Sequence, residues 1–154
     1  MDILAHFLIT YLVFIRHPNV LILSIIGILP DILSLSSHFI NFVYSKAKNK
    51  KKKKISRLSL FLYRFNHSLI IFTLIFSLVY LIDKTFVIYT IPWLIHIISD
   101  IPTHSKKEDD LEDFSTKIMW PLSDFSFNGI EWHRKYLFFK VYLLLLVAYA
   151  IIIM

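Results

Sequence analysis

Five apolar stretches, at about residues 3–15, 19–43, 58–82, 86–104 and 136–154, divide this chain, and four of them carry histidine or aspartate. About 20 residues of helix cross a bilayer core, so four stretches are long enough to span; the first is short and would lie tilted or shallow. With 56% hydrophobic residues over 154 positions and a mean hydropathy of +0.63, the composition does not suit an ordinary soluble domain. The expectation is an all-α integral membrane bundle of four to five helices forming one domain over 1–154.

The charge is concentrated. The run KAKNKKKKKISR, Lys46 to Arg57, holds eight of the 17 Lys and Arg residues behind the net charge of +6. Nothing aromatic interleaves it to stack on bases, so nucleic acid is not an expected partner. It reads as a solvated cytoplasmic loop beside anionic headgroups, making membrane lipids the expected partners. Placing that loop inside puts the N-terminus inside, the turns at 16–19 and 83–85 outside, and the segment 105–135 inside. That segment adds Lys106, Lys107, Lys117, Arg134 and Lys135, against Arg16 and Lys84 outside, so the orientation agrees with itself. The expected location is the cytoplasmic membrane. The first 15 residues lack a basic leader and a small-residue cleavage site and are read as retained. There is no cysteine, which excludes disulfides, thiolate metal sites and cysteine nucleophiles.

Segment 105–135 opens with SKKEDDLEDF and continues through MWPLSDFSFNGIEW. Pro121 and Gly129 oppose a long helix there, while Trp120 and Trp132 suit the headgroup layer. An irregular, lid-like segment over the membrane surface is expected.

An ionisable group in a membrane helix costs a few kcal/mol on insertion scales, so those that persist face one another, water or a metal. The candidates are His6, Asp31, Arg64, His67, His96, Asp100 and His104. At about 1.5 Å of rise per residue, His6, His67, His96 and Asp100 fall within roughly 15 Å of the inner boundary. Pro30, before Asp31, is placed to kink its helix toward the same level. His96, Asp100 and His104 follow at i, i+4 and i+8, one stripe of a helix, and residues one turn apart can share a cation. With Asp31 and His67 they offer the N/O ligand set of catalytic zinc or, with more oxygen, manganese. Each residue also has a plainer explanation as a structural hydrogen-bonding group or helix cap. His17, His38 and His133 lack the shared depth and are assigned to loops or interfaces.

The ordered set of His6, LPD (29–31), HSL (67–69), HIISDIPTHS (96–105) and WPLSDFSFNGIEW (120–132) resembles the membrane-bound metal-dependent hydrolases, a family of small inner-membrane hydrolases. That family is itself distantly similar to zinc-dependent phospholipase C and the S1/P1 nucleases. The resemblance implies a principal metal site of Asp31, His67, His96 and Asp100. It further implies that Asp100 bridges to a second ion held partly by His6, and that His104 begins a further site. Met1 stands in place of a processed N-terminal ligand, and HRKYLFF after His133 has no H-x3-E carboxylate. One or two divalent ions, zinc or manganese, are therefore implied rather than three.

The expected function is hydrolysis of a phosphoester such as a phospholipid headgroup, with Asp100 or Asp31 as general base and Arg64 positioning the substrate. The competing readings are a non-catalytic membrane adaptor that docks through its lysine loop and an ion or metal transporter. Transport requires polar groups through both leaflets, and the outer halves, such as IIFTLIFSLVYLI, offer almost none.

Overall fold

A computed structural model describes residues 1–47, 57–104, 115–130, 132 and 135–154; the side chains of 37–47 and of 135 lie outside the description. The bulk of the lysine run, the acidic stretch 105–114, His133 and the His38 side chain are thus outside the described residues.

Among the described residues the chain is all-α, with six helices and no strand: α1 (Ile3–Val13), α2 (Val20–Ala47), α3 (Arg57–Asn66), α4 (Leu69–Ile82), α5 (Ile91–Asp100) and α6 (Lys135–Ile153). Two 3-10 turns, Lys84–Thr90 and Ile101–Thr103, flank α5 and extend it into one rod.

Local chemistry sets the starts. Asp2 caps α1 by accepting the Ala5 N–H at 2.8 Å, and Ser68 caps α4 by accepting from Ile70 and Ile71. Pro92 sits in the first turn of α5, where its missing N–H has no helical partner to lose.

The apolar stretch 58–82, expected as one span, is two helices bent by 58° across His67–Ser68. The break is why six helices appear where four to five were expected: the Ser68 hydroxyl satisfies the first amides of α4, so the second half starts on a new axis.

Among the described residues two helical segments are long and apolar enough to cross a membrane, Lys84–Thr103 and Tyr136–Ile153, and the bent pair would make a third. The distribution of polarity favours such a setting. Much of the buried set is polar, including His6, Thr10, Ser24, Asp31, His67, His96 and Asp100. Large apolar side chains face outward instead, among them Leu81 at 81% and Leu144 at 67% exposure.

Helix α2 packs against α1, α3 and α5 and is the hub of the bundle. Its contact with α1 requires Gly27, because a Cβ there would strike the Thr10 hydroxyl. The expected irregular segment is seen at 115–130, which contains no α-helix. It is pinned to the bundle by Leu69 N–H to Ile118 O at 2.8 Å, Gly129 N–H to His104 O at 2.9 Å and Ile130 N–H to Pro102 O at 2.8 Å. A side chain at Gly129 would meet the Pro102 carbonyl oxygen at 2.6 Å, so this contact admits only glycine.

Candidate metal centre

Four parts of the chain deliver polar groups to one buried point: His6 from α1, Asp31 from α2, His67 from the α3–α4 break, and His96 with Asp100 from α5. His6, Asp31, His96 and Asp100 each offer a ligand atom, and those four atoms lie within 4.8 Å of one another. His67 joins from the side, its Nε2 3.1 Å from Asp100 Oδ2, 3.7 Å from Asp31 Oδ1 and 3.0 Å from His96 Nε2.

The outer nitrogens of the three imidazoles identify the inner ones. His96 Nδ1 lies 2.8 Å from the Gly27 carbonyl, and His67 Nδ1 lies 2.8 Å from the Tyr63 carbonyl. A carbonyl only accepts, so each Nδ1 carries the proton. His6 Nδ1 is 3.1 Å from Ser99 Oγ; that hydroxyl already donates to His96 O at 2.9 Å, so it too receives an N–H. With the proton on Nδ1, each ring in its neutral form turns an Nε2 lone pair inward, toward two carboxylates.

Lone pairs and anions facing one another without protons repel, and burial removes the water that would screen them. A cation at the centre would offset these contacts, as the Met1 ammonium already does in part at Asp100 Oδ1. The spacing fits one: Nε2-to-carboxylate distances run from 2.9 Å (His6 to Asp100) through 3.5 and 3.6 Å (His96 to Asp100 and Asp31) to 3.8 Å (His6 to Asp31). Ligands about 2.1 Å from a tetrahedral ion stand about 3.4 Å apart. Asp31 Oδ2 and Asp100 Oδ2 are buried and make no hydrogen bond, as expected of oxygens kept for an ion. The protonated Nδ1 atoms held by carbonyl or hydroxyl are the outer support that metal-binding histidines ordinarily have.

Rings stack around the centre. His6 lies on His96 with centroids 3.7 Å apart, and Tyr63 lies on His67 at 4.1 Å.

His104 stands at the rim. Its Nδ1 is 3.4 Å from Asp100 Oδ1 and 3.2 Å from the Asp100 carbonyl. Burial pushes its imidazole down to about 4, against the opposite pull of the Asp100 carboxylate.

Arg64 is half-buried one turn before His67, and its Nε makes no hydrogen bond. Nearby on 115–130, Lys117 binds Asp124 at 2.9 Å and holds that exposed carboxyl below its ordinary value. Thr116 Oγ1 lies 3.4 Å from the Asp100 carbonyl, closing the segment over the end of α5. His17 is outside the cluster, its Nδ1 accepting from the Asn19 amide.

Several participants were not visible as motifs. The Met1 amino group lies 2.6 Å from Asp100 Oδ1. Ser99 orients His6, the Gly27 carbonyl orients His96, and Ser68 both caps α4 and donates to the Trp120 carbonyl. Only Ser68 left a legible trace, as a capping residue directly before an apolar run.

No known protein family, curated protein or solved structure matches this chain.

Proposed function

We propose that this chain is a membrane-embedded, metal-dependent hydrolase of a phosphoester, of the kind found in a phospholipid headgroup. The observation that carries the reading is the inward convergence of three Nε2 lone pairs and two carboxylates at metal-ligand spacing inside an otherwise apolar chain. A divalent ion bound there supplies positive charge that acidifies water and polarises a phosphoryl oxygen.

The chain's own groups have separable tasks. His6, His67 and His96 hold the centre through nitrogens whose tautomers are set by Ser99, Tyr63 and Gly27. Asp31, the less enclosed carboxylate, is placed to take a proton from the attacking water, with Asp100 more deeply held as a ligand. Arg64 offers an unpaired guanidinium N–H to a phosphate. Segment 115–130 covers the end of α5 and limits access of bulk water. In the orientation expected from the lysine run, the centre lies toward the cytoplasmic face.

Elemental analysis of purified protein tests the reading, with zinc or manganese expected near one or two ions per chain. The double variant His96→Ala, Asp100→Ala should emerge folded and metal-free. Metal retained at the parent level in that variant would rule the centre out; metal bound without turnover of any phosphoester would remove the enzymatic part alone.

A further inference from the structure

An elongated groove of about 410 Å³ runs between α1 and α6, lined by Phe7, Leu8, Tyr11 and Leu12 on one side and by Leu145, Leu146 and Tyr149 on the other. Its volume is within the range of small-molecule sites, roughly 300–1,000 Å³. One end is fixed by Tyr142, which also lines the groove and donates to Asp2 Oδ1 at 2.8 Å. From there it follows both helices away from Asp2, for about 10 Å along α6. The two helices thus run in the same direction.

Three features select an occupant. The lining is aliphatic and aromatic apart from tyrosine hydroxyls, so it suits a hydrocarbon and gives a polar ligand nothing to bind beyond them. Residues 136–153 of α6 can cross a membrane and have none of their length buried within the chain, so in a bilayer this groove opens onto acyl chains. The Tyr142 end of the groove is tied to Asp2, the neighbour in sequence of Met1, whose amino group contacts Asp100.

We propose that the α1–α6 groove seats one acyl chain of the substrate, so that the centre acts on a phosphoester carried by a membrane lipid rather than on a soluble ester. This rests on the hydrolase reading above and specifies its substrate class. A chain lying along Tyr149, Leu146 and Tyr142 would bring its headgroup end to the Asp2 end of the groove, the end tied toward Met1 and Asp100.

The test uses the full-length, metal-loaded protein in phosphatidylcholine–phosphatidylglycerol vesicles containing a phosphatidylglycerol with a photoactivatable acyl chain. Leu8→Trp with Leu146→Trp fills the groove, and Leu144→Trp on the exposed face of α6 is the control. Crosslinks should concentrate on the lining residues and fall by about tenfold in the filled variant while the control keeps the parent level. The rate on phosphatidylglycerol relative to bis(4-nitrophenyl) phosphate should fall by a similar factor in the filled variant only. Crosslinks spread evenly around α6, unchanged labelling of the filled variant, or chain-to-chain crosslinks through the groove would each overturn the assignment. Failure to hydrolyse either ester would reject the hydrolase reading, while the crosslinking pattern would still decide what occupies the groove.

Discussion

Ser99 lies between His96 and Asp100 and joins two of the helices that build the centre. Its hydroxyl proton goes to the His96 carbonyl, so its oxygen is left to receive His6 Nδ1–H. Ser99→Ala should therefore leave the metal in place but weaken its hold by about 10- to 100-fold, the usual cost of losing a ligand's outer support; competition with a chromophoric chelator reads this directly. At Gly27 two demands meet, close approach to Thr10 and a carbonyl presented to His96. Gly27→Ala is expected to lower stability by roughly 1–3 kcal/mol through overpacking. Thr10→Ala, which removes the hydroxyl in the way, should restore part of it. Neither residue announces its role in a linear reading, because one acts through a hydroxyl between more conspicuous neighbours and the other through its backbone.

The break between α3 and α4 shows how an element boundary serves the site. A continuous helix over 58–82 would carry His67 in a uniform register; the turn instead leaves its Nδ1 on the Tyr63 carbonyl and its Nε2 on the centre. The residues around it, FNHSL, contain neither proline nor glycine, so hydrophobicity alone runs straight through. Depth put His6, His67, His96 and Asp100 in one layer and i, i+4 spacing paired His96 with Asp100, since those properties follow from helix geometry, while Asp31 needed a kink at Pro30 to join them. They could not reveal where an axis bends. Ser68→Ala removes the α4 cap and the bond to Trp120, and should cost about 1–2 kcal/mol. Its separate signature is a faster limited proteolysis within 115–130, which Ser68 helps anchor.

At the scale of the whole molecule, the packing is inverted relative to a protein in water: histidine, aspartate, serine and threonine are enclosed while leucine and isoleucine face out. Less of the cohesion can then come from an apolar core, and a cation bound by His6, Asp31, His67, His96 and Asp100, drawn from four parts of the chain, would become a principal fastening. Chelation should accordingly lower the melting temperature in detergent by roughly 5 °C or more, and should do nothing to the His96→Ala, Asp100→Ala variant. Acidification acts in the same direction, because protons compete with the ion for the inward lone pairs; metal content after dialysis should fall as the pH is lowered, and elemental analysis reads this. The last helix is attached differently. Among the described elements α6 packs substantially against α1 alone, and Asp2 ties it there through Tyr142 at 2.8 Å, with Trp132, just ahead of α6, joining at 3.0 Å. A wall latched by one carboxylate swings outward more readily than the hub helices separate. In a bilayer such a doorway opens sideways, so guests would arrive by two-dimensional diffusion without surfacing into water.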